Sequence, residues 1–133
     1  LLTNLVQATG CGFLFDMAHA QLTCEYAGGN FKTYVEQLPL YALHEMHVTG
    51  IGTWSTGDRG DHVPFASADW QRFDWCMARI QAGAWRIPDI IACEYGGIGT
   101  LKARCGSDKD VIAEQIPRLY QAVHALDKQV NPV

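Results

Sequence analysis

Apolar positions recur at helical spacing in four segments of the chain, and short apolar runs lie between these segments. The helical spacing predicts helices over residues 2–9, 30–38, 67–82 and 108–127. The short apolar runs predict buried strands over residues 13–16, 43–48 and 90–95. Helices and strands alternate, which is typical of a parallel sheet with crossover helices. We therefore expect an α/β fold with about three parallel strands and flanking helices.

Polar and glycine-rich segments mark the boundaries of these elements. Residues 50–66 are rich in Gly, Asp and Ser/Thr, which predicts a long loop. Ser67 is the expected N-cap of the helix that follows this loop. Ser107-x-x-Asp110 resembles a capping box for the last helix. A turn is expected after the third strand, at Gly96, Gly97 and Gly99.

Composition narrows the class of protein. The chain has 133 residues, of which 48% are hydrophobic and 18% charged, so we expect one domain spanning residues 1–133. A complete (β/α)₈ barrel is excluded because it needs about 250 residues. The net charge of −4 and the absence of a Lys/Arg cluster argue against nucleic-acid binding, and no apolar run reaches the ~20 residues of a membrane span. Five cysteines without a CxxC motif favour a reducing, cytoplasmic location.

Carboxylates and imidazoles collect where the predicted strands end. The C-terminal ends of parallel strands form the usual ligand-binding edge of an α/β sheet. Carboxylate oxygens and imidazole nitrogens together suit a divalent transition metal such as Fe, Mn or Zn. The candidate metal ligands from the three strand ends and the long loop are Asp16, His19, His47, Asp61, His62 and Glu94.

Each candidate also has a purely structural interpretation. Asp16 is placed to cap the helix that follows its strand, and Asp61-His62 could be an ordinary polar loop. His47 shares a strand face with Glu45, whereas His44 lies on the opposite face and is the expected structural histidine. Glu94 is the strongest signal, because a carboxylate at the end of an apolar strand is costly unless it is paired or reaches solvent. Neighbouring Cys93 is expected to point to the opposite face.

Four motifs, in this order, resemble the multinuclear non-haem iron-dependent oxidase family, formerly domain-of-unknown-function family 692. They are GFLFDMAHA, LPLYALHEMHVTGIG, DHVPFASADW and IACEYGGIG, and the resemblance extends from about residue 12 to residue 126. It implies a xylose-isomerase-like TIM barrel that holds two or three irons at its C-terminal face. Some members oxidise cysteines of ribosomally made peptides with dioxygen, together with a partner protein that presents the peptide.

The resemblance also assigns individual residues. Asp16, His19, His47 and Glu94 match metal-ligand positions, and the loop dipeptide Asp61-His62 matches the acidic-histidine element. The family often has Asp-x-His in this loop, whereas this chain has Asp58-Arg59-Gly60-Asp61-His62, which leaves open which loop carboxylate is the ligand.

The length matches only part of such a barrel, so we expect its C-terminal portion. A partial barrel exposes sheet edges and the inner strand face, so we further expect self-association into a homo-oligomer. Two other interpretations remain open. One is part of a single-metal sugar isomerase or epimerase that uses Mn or Zn, and the other is a catalytically inactive oligomer.

Overall fold

The chain forms one parallel sheet, flanking helices and a separate β-hairpin. The computed structural model describes residues 1–97 and 105–130, with side chains up to residue 126. The helices are α1 (Leu2–Thr9), α2 (Met17–Ala27), α3 (Phe31–Val35), α4 (Ser67–Gln81) and α5 (Lys109–Val130), with a 3₁₀ turn at Leu40–Ala42. The strands are β1 (Phe13–Asp16), β2 (Leu43–Val48), β3 (Gly50–Thr53), β4 (Arg59–Val63) and β5 (Ile90–Cys93). The predicted mixed α/β fold is confirmed.

Three parallel strands form the main sheet, in the order β1-β2-β5. Asp16 pairs with His47, and His47 pairs with Ala92, so the carboxyl ends of the strands meet at one edge. The first two strands have the predicted bounds. The third ends at Cys93 rather than at residue 95, although the Glu94 amide still donates to the Val48 carbonyl at 3.1 Å.

The two faces of this sheet differ in burial. One face is covered by helices, and its side chains Phe15 and Met46 are almost completely buried. The opposite face carries Leu14, Glu45 and Ile90 in one row. Leu14 and Ile90 are 46% and 54% exposed, so none of the described helices buries them. A parallel sheet is normally covered on both faces, which makes this open face unusual.

The prediction of a long loop over residues 50–66 was wrong, because this segment contains regular secondary structure. It contains β3 and β4, which pair in an antiparallel hairpin. Gly60 permits a close approach, since a Cβ there would lie 2.3 Å from the Trp54 ring. The Trp54 indole N–H donates to the Asp61 carbonyl at 2.8 Å. Few apolar side chains alternate along this hairpin, so periodicity did not reveal it.

The helices also differ from the predictions at several points. Helix α2 was not predicted, because its buried side chains are small or widely spaced: Met17, Ala18, Ala20 and Cys24. Helix α3 ends at Val35 instead of residue 38, and α5 continues to Val130 with Pro117 inside it. The predicted cap Ser107 is displaced by Asp108, whose carboxylate accepts from the Asp110 amide at 2.7 Å. In the described part of the chain, no helix combines the length and apolarity needed to cross a membrane.

Candidate metal centre

Asp16, His47 and Glu94 meet at the carboxyl edge of the sheet. Each comes from the end of a different strand: β1, β2 and the residue that follows β5. Among the described residues, one ligand atom from each of the three lies within 4.8 Å of the other two. Their side chains are 11%, 21% and 30% exposed, so the group is partly shielded from solvent. This is the geometry of a candidate cation site.

His47 lies at the centre of the group. Its Nδ1 is 3.2 Å from Glu94 Oε1 and 4.0 Å from Asp16 Oδ2, and its Nε2 is 2.8 Å from Glu45 Oε1. Burial alone would lower the pKa of His47, but the hydrogen bond with Glu45 and the charges of Glu94, Glu45 and Asp16 raise it overall. The environment of His47 therefore favours a positive charge, which a bound proton or a metal ion can provide.

Asp16 caps a helix and also faces the candidate site, which are the two roles considered for it from the sequence. Its Oδ1 accepts a hydrogen bond from the His19 amide at 2.8 Å, so Asp16 is the N-cap of α2. Its Oδ2 is directed to the imidazoles, 2.9 Å from His19 Nδ1. The cap fixes the carboxylate, so that one oxygen holds the helix and the other remains available to a ligand.

A second set of contacts, called here the second arm of the cluster, connects Asp16 to His19 and His19 to Asp61. His19 Nε2 lies 3.0 Å from Asp61 Oδ2. Asp61 is only 6% exposed, and its Oδ2 accepts no well-formed hydrogen bond from any described residue. Asp58, the other loop carboxylate, instead accepts from the Thr56 hydroxyl at the hairpin turn, at 2.8 Å. Of these two loop carboxylates, the hairpin therefore directs Asp61 to the cluster.

His62 has an unusual backbone conformation, with φ of 60°, which only a few per cent of non-glycine residues adopt. Its carbonyl accepts from the Gly96 amide at 2.9 Å, and its Nδ1 is 2.5 Å from the Glu94 carbonyl oxygen. Because a carbonyl only accepts, Nδ1 must donate, and the neutral ring then leaves Nε2 without a proton. That nitrogen lies 3.7 Å from Asp61 Oδ1. His62 thus connects the hairpin to the segment that carries Glu94.

His44 and Cys93, which were also considered from the sequence, do not belong to this group. His44 is at the opposite end of β2, with Nδ1 2.7 Å from Asp89 Oδ2, in agreement with its expected structural role. Cys93 lines a cleft between β5 and α5, and burial raises the pKa of its thiol, which does not favour a nucleophile. Gly96 has φ of 86° and lies against Ser107, whereas the predicted turn residue Gly99 lies outside the described residues.

Sequence reasoning did not assign two groups that the structure places at or beside the site. Glu45 contacts His47, and the strand alternation that puts both on one face was the available signal. The hairpin is held to α2 by Arg59, whose Nε and guanidinium NH₂ group each lie 3.0 Å from a carboxylate oxygen of Glu25. This bidentate pair lowers the pKa of Glu25 to about 2, mainly through the Arg59 hydrogen bonds. Long-range pairs of this kind have no local sequence pattern.

Comparison of the chain with protein-family models, curated proteins and solved structures found no match in any of the three searches.

Proposed function

We propose that this chain binds a divalent transition metal through Asp16, His47 and Glu94. The observation that carries the proposal is the convergence of their ligand atoms within 4.8 Å from three separate strand ends. Two carboxylates and one imidazole supply a mixed oxygen and nitrogen donor set, which suits Fe, Mn or Zn. Three protein ligands also leave coordination positions open for substrate or water.

The second arm supports a site with more than one metal ion. Asp61 Oδ2 is a buried carboxylate oxygen without a well-formed hydrogen bond from a described residue, and such an oxygen is costly unless a cation or donor satisfies it. His19 faces both Asp16 and Asp61 at about 3 Å. We therefore propose His19 and Asp61, with His62 beside Asp61, as donors to a second metal position.

The chemistry proposed for this centre is iron-dependent oxidation with dioxygen, on a peptide cysteine or a related small substrate. The bound iron would supply the electron transfer to dioxygen that no side chain can perform. The residues of this chain would hold the metal, neutralise its charge and leave one side of the site open for the substrate. The side chain of His19 is 65% exposed, so a substrate could reach its ring from solvent.

The open sheet face supports assignment to a larger barrel. We propose that β1, β2 and β5 are three neighbouring strands in the C-terminal portion of a (β/α)₈ barrel. In such a barrel the row that contains Leu14, Glu45 and Ile90 would face the interior. When the chain is alone, we expect a second copy to cover the exposed Leu14 and Ile90. A homo-oligomer in light scattering supports this part of the proposal, and a monodisperse monomer contradicts it.

The test of function uses iron and dioxygen directly. The chain is loaded with Fe(II) without oxygen, desalted, and analysed for bound iron and for oxygen uptake with a cysteine-containing peptide. We expect retained iron and thiol-dependent uptake, with a serine peptide as the substrate control. Glu94→Gln should lose most of the iron, whereas Glu36→Gln, at a carboxylate that pairs with Arg79 away from the site, should not. Retention of Mn or Zn without any iron-dependent uptake would contradict the oxidase assignment.

A further inference from the structure

Glu45 contacts the side of the His47 ring that is directed away from the other two residues of the candidate centre. Its Oε1 is 2.8 Å from Nε2, while Nδ1 of the same ring is 3.2 Å from Glu94 Oε1. Glu45 precedes His47 by two residues on β2, so the pleat of the strand places both side chains on the open face. The imidazole therefore lies between a carboxylate on one side and the candidate metal position on the other.

This arrangement favours one proton position on the neutral ring. Both ring nitrogens face a carboxylate, but Nε2 makes the shorter contact, a 2.8 Å hydrogen bond with Glu45, so the proton is favoured on Nε2. The neutral imidazole has one proton, which leaves the lone pair on Nδ1. Nδ1 is the nitrogen nearest to Glu94 and Asp16, at 3.2 and 4.0 Å.

We propose that Glu45 is a positioning residue that holds His47 in the tautomer and orientation in which Nδ1 binds the metal. This inference rests on the metal centre proposed above and adds a residue that the ligand set does not include. Carboxylates commonly orient metal-binding histidines in this way, and they also make the ring a stronger donor. Glu45 acts through His47, because its nearer oxygen contacts the ring nitrogen that is not the ligand.

The contact has the geometry of a specific interaction. Its 2.8 Å length is within the range of charge-assisted hydrogen bonds. Glu45 is about one third exposed and His47 about one fifth, so solvent reaches the carboxylate more than it reaches the ring. A Glu45 side chain that was fully surrounded by water would not hold the His47 ring in one orientation.

The first experiment measures the tautomer without metal. ¹⁵N chemical shifts of His47 are recorded in alkaline buffer, where the ring is neutral, for the wild type, Glu45→Gln and Glu45→Ala. We expect the Nε2–H form in the wild type and in Glu45→Gln, whose amide oxygen can still accept, and a mixture of tautomers in Glu45→Ala. A merely structural role would not produce this pattern, and the same tautomer in all three proteins overturns the proposal.

The second experiment measures the affinity for Mn²⁺ in the same proteins. Loss of an outer carboxylate typically costs 10- to 100-fold in metal affinity, so we expect that loss in Glu45→Ala and recovery to within about threefold in Glu45→Gln. Glu36→Ala is the matched control and should bind as the wild type does. Metal binding by the wild type with equal affinity in Glu45→Ala overturns the positioning role alone. Failure of the wild type to bind any metal overturns the centre itself and the positioning role with it.

Discussion

The Arg59–Glu25 pair provides a quantitative test of how the hairpin is held beside the site. Arg59 lies two residues before Asp61 on β4, and its guanidinium makes two contacts of 3.0 Å with Glu25 on α2. We expect that removing either partner loosens the hairpin and moves Asp61 away from His19. The perturbations are Arg59→Ala, Glu25→Gln and the double variant.

The magnitude follows from the pKa and the exposure of the pair. A pKa lowered from 4.5 to about 2 corresponds to about 3 kcal/mol without screening, for all partners of Glu25 together, of which Arg59 is the largest and Gln21 the next. The side chains of Arg59 and Glu25 are 48% and 35% exposed, so solvent screening reduces this to about 1 kcal/mol of coupling. Because the pKa of Glu25 is lower in the folded state, the stabilisation is fully present above about pH 4.5. It declines as the pH falls and is mostly lost at about pH 2.

The assay is a double-mutant cycle of urea unfolding at neutral pH and in steps towards pH 2. We expect about 1 kcal/mol of coupling at neutral pH, which decreases below about pH 4.5 and weakens with added salt. Hydrogen exchange should become faster in β3 and β4 of Arg59→Ala. It should not change there in Arg79→Ala, which removes a surface pair with Glu36 instead. Zero coupling at neutral pH, or coupling that is unchanged near pH 2, would refute the reasoning.

Two further predictions concern a close contact within the hairpin and a buried hydrogen bond just after it. Gly60→Ala should destabilise the fold by about 1–3 kcal/mol in thermal unfolding, because its Cβ would lie 2.3 Å from the Trp54 ring. Gly106→Ala, with nothing within 4 Å of its Cβ, should have little effect, and equal losses in both variants would argue against the contact. Gln115→Ala should lower the free energy of unfolding in urea by about 1–3 kcal/mol. The substitution leaves the buried backbone N–H of Phe65 without its hydrogen-bond acceptor. The exposed control Gln121→Ala should stay within about 0.5 kcal/mol, and a comparable loss there would contradict the assignment.

The sequence was sufficient to predict the sheet and the side chains at its edge. Parallel strands end together, so placing Asp16, His47 and Glu94 at strand ends was enough to predict that they meet. The structure brings them within 4.8 Å. That prediction needed only the period of the apolar runs and the order of the elements.

The hairpin and its consequences could not be predicted from periodicity. Asp58 and Asp61 are equivalent in a loop, and only the pairing of β3 with β4 directs Asp61 to His19. Helix α2 also gave no signal, because residues such as Ala18 and Ala20 bury little apolar surface and form no strong stripe. These features depend on tertiary contacts, among them the fit of Trp54 against Gly60.

The open sheet face connects the fold with the proposed function. The three-stranded parallel sheet leaves Leu14 and Ile90 exposed on one face. The candidate ligands lie at the carboxyl edge of the same sheet, where barrel enzymes bind their substrates.

The most direct test of the central claim is a Mn²⁺ titration of the wild type, Asp16→Asn and Asp89→Asn, with free Mn²⁺ followed by electron paramagnetic resonance. Asparagine caps helices as well as aspartate does, so Asp16→Asn should keep α2 folded while it removes one ligand charge. Asp89 contacts His44 at the other end of β2 and is the matched control. We predict saturable binding by the wild type and Asp89→Asn, and affinity more than about 10-fold weaker in Asp16→Asn. Equal binding by all three proteins, or no binding by the wild type, would contradict a metal centre at Asp16, His47 and Glu94.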